Sequence, residues 1–519
     1  MIPISMSRSR PKLNLWFPIS LFIVLAILLA VAFRMEEHII HTMRQMVLYL
    51  VIIVAVVGLS FWWIFLTGKF RAKFLLIEFC VAIVLIGGGL LTVEYKGSGS
   101  GDDPFSFGWK WTPKPGEGIA DLPETGDPAI VIDPASSDPD LADFPGFLGP
   151  NRDGVIADPG LNPDWKTNPP KELWRIEVGI GWSGFAVVGE RAVTQEQRGE
   201  EELVTCYHVK TGQFLWAHRE TTRFSESMGG DGPRATPSIA DGVVYALGAT
   251  GILNALKIED GSVLWSRPTL KDAGNSPSFY GETSSPLVTD QFVIVTVGAK
   301  SSASLLAYHR ETGDLAWKSG NGPASYSSPR LIEFDGKAQI VSVFGDHVAG
   351  FELVNGEQIW RHSWPGSYPK VGQPLLIGSE QLLVTASYGV SSTLLNINGA
   401  EAKPVWERSQ MKTKFSSAVV KDGYAWGIDE GKLICIDVAT GDRRWKGQRY
   451  GYGQNLLVGD LILIQAESGD VVLVEANPDE HVELARVSVL SSKTWNPPAL
   501  AGKYLIVRND REAVGLKLP

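Results

Sequence analysis

Eight residues stand at matching places along this 519-residue chain and hold most of its chemical potential: Trp182, Arg234, Glu282, Tyr326, Lys370, Lys414, Tyr452 and Trp495. Each lies shortly before a Ser-Pro step or its counterpart. Aromatic faces and charges of both signs, gathered on one concavity, can grip a flat or anionic ligand. The same set can instead plug a channel and hydrogen-bond its walls, and the sequence favours this plainer role. No other grouping points to catalysis. The eight histidines are scattered, with no H-E-x-x-H spacing. "GATG" (248–251) and "GSGSG" (97–101) lack the strand–helix setting of a phosphate loop. Ser-Pro steps recur throughout, so no serine stands apart as a nucleophile. Of three cysteines, Cys80 lies in an apolar run, while Cys206 and Cys435 fill comparable places in distant repeats. They read as small buried residues, with neither a mutual disulfide nor metal-ligand spacing.

The elements that must position the eight are written in a recurring phrase: "CYHVKTGQFLW" at 206–216, "ALKIEDGSVLW" at 255–265, "AYHRETGDLAW" at 307–317 and "CIDVATGDRRW" at 435–445. Tryptophan closes it at Trp174, Trp216, Trp265, Trp317, Trp360, Trp406 and Trp445, and a copy at 479–487, "DEHVELARV", lacks it. A period of about 40–50 residues marks a repeat architecture. Within 234–265, four short apolar stretches are separated by "ADG", "GATG" and "EDG", the texture of four strands and tight turns. Gly212, Gly261, Gly313, Gly356 and Gly441, four residues before the tryptophan, suit the positive φ of a hairpin turn. The tryptophan then ends an outer strand and packs on the next blade. Four strands per repeat of this length predict a β-propeller. Seven units run from 182 to 487, and material for three strands follows. "ELWRIEV" (172–178) supplies the missing outer strand, giving eight blades in a ring with no open edge. The eight residues then encircle one mouth of the central channel.

Before the propeller come three nearly charge-free runs at 15–33, 46–66 and 74–93. Each has about the twenty residues a helix needs to cross a bilayer, with Trp16, Trp62 and Trp63 near the ends, where such rings prefer the interface. Arg8, Arg10 and Lys12 precede the first run, and Lys69, Arg71 and Lys73 join the second to the third. The basic residues predict a cytoplasmic N-terminus and a periplasmic or extracellular propeller on a multi-pass anchor in the cytoplasmic membrane. The expected organisation is a membrane domain at 1–96, a disordered tether at 97–145 and the propeller at 146–519. The tether segment holds ten acidic residues, two lysines and eight prolines, a composition that extends and self-repels. With a net charge of −10 and no basic stripe, nucleic acid is excluded as a partner class. The bilayer is the expected partner.

The pattern A-x-x-x-x-T-G-x-x-x-W resembles the tryptophan-docking phrase of the pyrroloquinoline-quinone (PQQ) type propeller repeat. That family includes quinoprotein alcohol dehydrogenases and the propeller lipoprotein of outer-membrane assembly. "FLGPNRDG" (147–154) and "GIGWSG" (179–184) are similar to the opening of bacterial PQQ-like propellers, although Leu148, Gly184 and Phe185 depart from the usual F-R-G-P and G-W-S-S-P. The resemblance implies an eight-bladed fold over about 146–519. For a dehydrogenase it implies PQQ on a calcium ion, a catalytic aspartate and, in many members, two adjacent cysteines. This chain has no adjacent cysteines. Asp346-His347, Asn275 and Asn496 are the only candidates for such a site, and strand-end or turn roles suit them better. The expectation is therefore a non-catalytic binding or assembly platform for envelope proteins, with no cofactor. The alternative is a PQQ-dependent dehydrogenase that oxidises an alcohol or sugar and reduces membrane quinone.

Overall fold

A computed structural model describes residue 51 and residues 91–519, apart from 104, 114–115, 125, 127–137, 301–302 and 367–368. The three expected membrane runs lie almost wholly outside the described residues. Among the described residues, no helix is long and apolar enough to cross a membrane. The chain divides into two units, Met1–Thr112 and Pro113–Pro519. In the first, Val93–Tyr95 pairs antiparallel with Phe107–Trp109. The second of these strands falls in the segment expected as a tether. Alternating Phe105, Phe107, Trp109 and Trp111 give that stretch a hairpin's apolar side, and Tyr95 meets Phe105 and Phe107 edge-on.

In the second unit the described strands form eight sheets, one per blade, each with four antiparallel strands as the repeat predicts, and one of them carries a fifth, parallel strand. Blade 1 runs Ala186–Val188, Arg191–Arg198, Glu201–His208 and Phe214–Glu220 from the inside out. Blade 8 is composite: Ala499–Ala501, Tyr504–Arg508 and Glu512–Lys517 are completed by the N-terminal strand Lys171–Glu177, with Gly515 opposite Trp174. Arg508 seals this join. It is fully buried, and its guanidinium donates to Thr194 Oγ1 (2.8 Å) and to the carbonyls of Gln195 and Gly179 (both 2.9 Å) in and beside blade 1. The core lies in apolar layers between neighbouring blades. One such layer joins Val193, Cys206 and Trp216 of blade 1 to Ile239, Val244 and Leu256 of blade 2.

Each recurring phrase is a hairpin with a register shift beside the residue opposite the tryptophan, as at Cys206/Tyr207 and Cys435/Ile436. That partner is mostly small, which explains the cysteines: both are buried and unpaired, and burial pushes the Cys435 thiol up to about 12. Trp216 then reaches the next blade, where its Nε1 donates to the Ile258 carbonyl at 2.9 Å. Its ring covers Gly261, whose φ is 73°. Trp174, Trp265, Trp317 and Trp406 cover Gly212, Gly313, Gly356 and Gly441 in the same way, and Trp445 donates to the Asn477 carbonyl. Trp360 departs from the expectation. Blade 5 turns at Gly399, where a Cβ would meet nothing within 4 Å, and Trp360 instead donates to Gln339 Oε1 of its own blade at 2.7 Å. The copy without tryptophan has Ala485 opposite Leu473. Its neighbour, blade 8, has no third-to-fourth hairpin, because that strand comes from the other end of the chain. There is no turn there for a tryptophan to dock on.

The close of the expected tether and the segment after it are also ordered. Asp138 accepts from Lys210 of blade 1 (2.9 Å) and from the Tyr504 hydroxyl of blade 8 (2.8 Å), clasping the closing seam. These two donors hold its carboxyl down to about 2. Residues 144–156 then cross the channel. Phe144 bridges to Val187, the Pro145 carbonyl accepts from Ile239 N, and Val155–Ile156 adds a parallel inner strand to Gln454–Val458 of blade 7. The motif "FLGPNRDG" is thus a stopper across one mouth.

Candidate functional site

The eight sequence-selected residues lie toward the other mouth: Trp182, Arg234, Tyr326 and Tyr452 stand four or five residues ahead of the stopper's contacts at Val187, Ile239, Arg330 and Leu457. A belt of hydrogen bonds fixes the level between the two. Gly184 N donates to Thr236 Oγ1 (3.1 Å), Thr236 N to Ser285 Oγ (3.0 Å), Ser285 N to Ser328 Oγ (2.9 Å), and Gln373 N to Ser417 Oγ (3.1 Å). At Thr236, Ser285, Ser328 and Ser417 the hydroxyl thus caps an amide of the preceding blade. Asn496 closes the belt by donating to the Gly181 and Ser183 carbonyls at 3.0 and 2.9 Å. It is therefore a seam residue, and Asn275 is a turn residue that accepts from Lys300 N and donates to its carbonyl.

Four of the eight form one cluster. Trp182 and Trp495 lie 4.9 Å apart between ring centroids, and Phe415 lies 4.8 Å from Trp495 and 5.7 Å from Tyr452. Lys414 Nζ sits 4.5 Å from the Tyr452 centroid, and Lys493 Nζ sits 4.1 Å from that of Trp495. Such contacts contribute about 0.5–2 kcal/mol each, most where water is excluded. Burial draws the Lys414 amine down to about 8 against the pull of Glu430 and Glu467. Glu430 accepts from the Tyr452 hydroxyl (3.0 Å) and Ser387 Oγ, and Glu467 from Trp495 Nε1 (2.7 Å).

The other four brace loops. Arg234 donates to the Gly232 and Gly230 carbonyls, both at 2.6 Å, and Trp182 Nε1 to the Gly229 carbonyl at 2.6 Å, so the two secure loop 229–232. Burial lowers Arg234 to about 10. The Tyr326 hydroxyl accepts from Tyr280 N (3.2 Å), and burial raises it to about 12. Glu282 accepts from Ser278 N and Gly298 N, both at 2.9 Å, and burial raises its carboxyl. Lys370 donates to the Gly366 carbonyl (3.0 Å) and to Gly345, with burial drawing it to about 8. Beside it, Asp346 Oδ1 lies 2.5 Å from Nδ1 of the buried His347, which stacks on Phe344.

The sequence missed Phe415, Lys493 and the rim itself. Phe279 and Met228 project from the braced loops at 64% and 45% exposure, and Phe279 meets Tyr280 edge-on at 4.8 Å. Their signal was adjacency: these residues precede or flank the eight in loops that the repeat pattern leaves unspecified.

A family model described as outer membrane protein assembly factor BamB matches residues 167–296 and, overlapping them, 200–447. That is more than half of the chain. The chain belongs to this PQQ-like repeat family. A similar relative is the outer membrane protein assembly factor BamB of Shewanella oneidensis, 24% identical over 293 residues, which are 53% of this chain and 67% of the relative. The quinohemoprotein alcohol dehydrogenase ADH-IIG of Pseudomonas putida is 25% identical over 266 residues, 46% of this chain and 32% of the enzyme. A solved structure of the Pseudomonas putida HK5 enzyme ADHIIG shares the fold, with a TM-score of 0.54 at 13% identity over 77% of this chain and 83% of that one.

The dehydrogenases raise the question of PQQ on calcium. Among the described residues, no group of three or more His, Cys, Asp or Glu side chains is placed to hold a metal ion. The mouth's carboxylates are dispersed and engaged as described above. Cys206 and Cys435 are single buried thiols.

Proposed function

We propose that this chain is a non-catalytic platform that receives a protein partner in the cell envelope at the unstoppered mouth, with the propeller outside the cytoplasm on a membrane anchor. The observation that carries the reading is the construction of that mouth. Its charged groups are engaged in bracing loops and in the aromatic cluster, and Phe279 and Met228 stand exposed on its rim. Exposed aromatic and Met side chains around a rigid base suit a protein contact. Catalysis requires groups aimed at a reacting atom, and among the described residues the mouth offers no such convergence. Relatives named as outer-membrane assembly factors support an assembly role. No nucleic acid is expected to bind.

The test separates platform from dehydrogenase. Purified protein is incubated with PQQ and calcium, dialysed, and read for quinone absorbance and for dye reduction with alcohols or aldose sugars. We expect neither signal. Stoichiometric PQQ retention that is lost in Trp182→Ala, Arg234→Ala or Trp495→Ala would move the assignment to the dehydrogenase.

A further inference from the structure

The hairpin of the first unit carries an aromatic side. Val93–Tyr95 and Phe107–Trp109 pair with Val93 opposite Trp109 and Tyr95 opposite Phe107. Side chains alternate along a strand, and directly opposed residues share a side. Val93, Tyr95, Phe107 and Trp109 therefore fall on one side, with Glu94 and Gly108 on the other. Lys96 serves that polar side: its Nζ donates to Glu94 Oε1 (2.5 Å) and to the Thr112 carbonyl (2.9 Å). Just past the second strand, Trp111 stacks on Trp109, with ring centroids 5.1 Å apart and planes 7° from parallel. Phe107, Trp109 and Trp111 are 66%, 52% and 67% exposed. Among the described residues this sheet has two strands alone, and a lone hairpin is marginal in water unless something covers its apolar side.

The hairpin's place in the chain indicates the cover. Its first residue, Val93, is the last of the apolar run 74–93. Trp109 pairs with Val93, and Lys110 N donates to the Thr92 carbonyl at 2.9 Å, so the stacked tryptophans stand level with the end of that run. Phe107, opposite Tyr95, is two residues farther on, about 7 Å along the strand. The headgroup zone of a bilayer is about 5–8 Å deep on each side of the hydrocarbon, and tryptophan rings concentrate there. The turn at 97–106, with Asp102 and Asp103, occupies the opposite end, where water is. We propose that the aromatic side of this hairpin seats in the headgroup zone of the bilayer, on the face where the chain emerges. The inference rests on the membrane anchor proposed above. Rings make the contact, so a zwitterionic phosphatidylcholine surface suffices and salt has little effect, unlike a polybasic contact.

The test uses the full chain reconstituted in phosphatidylcholine vesicles that contain lipid brominated either near the headgroup or deep in the acyl chain. Tryptophan fluorescence is read for the unaltered protein and for the double variant Trp109→Phe with Trp111→Phe, and their difference isolates these two rings from the other tryptophans. We expect the shallow bromine to quench the difference signal at least twofold more than the deep one, with no loss at high salt. Carbonate extraction of the same vesicles separates the two readings. A chain released by carbonate would overturn the anchor and the hairpin contact together. A retained chain whose difference signal falls short of twofold, or whose quenching is lost at high salt, would overturn the hairpin contact alone. A photo-crosslinking residue at Phe107 in intact cells gives a second readout: lipid adducts are expected, and a protein adduct in their place would overturn the proposal.

Discussion

Gly261 and Gly399 offer a matched pair for measuring how much the tryptophan docking matters. Both glycines are in the left-handed region, with φ of 73° and 57°. A Cβ at Gly261 would lie 2.4 Å from Trp216 Cε3, whereas one at Gly399 would meet nothing within 4 Å. Left-handed backbone costs alanine about 1–2 kcal/mol at either position. At 261, displacing a packed ring adds about 1–3 kcal/mol. Gly399→Ala should therefore lose about 1–2 kcal/mol and Gly261→Ala about 2–5 kcal/mol. One kcal/mol moves the melting temperature by about 2–4 °C in a domain of 150–250 residues and by less in a larger one. A separation of a few degrees should appear in scanning fluorimetry, with the same ranking in urea. Trp216→Ala alone should cost about 3–5 kcal/mol. In that background Gly261→Ala should cost no more than Gly399→Ala, since the clash is gone. Equal losses for the two glycine variants, or an unchanged Gly261→Ala penalty without the indole, would refute the docking account.

A fragment starting at residue 138 should fold, while one starting at 179 loses the closing strand and the stopper and should aggregate; equal solubility and melting would argue against closure by Lys171–Glu177. Glu202 is buried between blades 1 and 2, accepting from Ala249 N and Thr250 Oγ1, and burial raises its carboxyl to about 7. The raised value means that its stabilising contribution is complete below the unfolded value of about 4.3 and fades as pH climbs through 7. Glu202→Gln should thus match the unaltered protein near pH 4–5 and melt higher at pH 8; superimposable pH profiles would contradict this. For topology, alkaline phosphatase fused after Lys96 should be active and after Leu66 inactive, and an inactive Lys96 fusion would overturn the extracytoplasmic placement.

The fold was legible because repetition exposes it. The phrase ending at Trp216, Trp265 or Trp445 encodes a hairpin, a bulge and an inter-blade contact in eleven residues, and the orphan "ELWRIEV" reveals the closure. What stayed hidden depends on contacts that only the closed ring creates. "FLGPNRDG" contains no strand pattern, so its path across the channel emerges only from hydrogen bonds to several inner strands. The seam clasp at Asp138 was concealed by tether-like composition, although a single carboxylate with two donors orders that end. Trp360 and Ala485 share a lesson: a docking residue is set by the neighbouring blade's turn, which its own repeat does not encode. At the open mouth the eight ring positions could be counted from the repeat. Their division into an aromatic cluster and loop braces, and the exposure of Phe279 and Met228, could not.

The central claim is that the unstoppered mouth engages an envelope protein. A photo-crosslinking residue placed at Phe279 or Met228 in the full chain, in intact cells, tests it most directly, with Asn151 on the stoppered face and Val263 on an outer strand as comparison sites. The account predicts one reproducible protein adduct from the Phe279 and Met228 positions, weakened by Trp495→Ala, and none from Asn151. Adducts arising only from Asn151 or Val263 would contradict it.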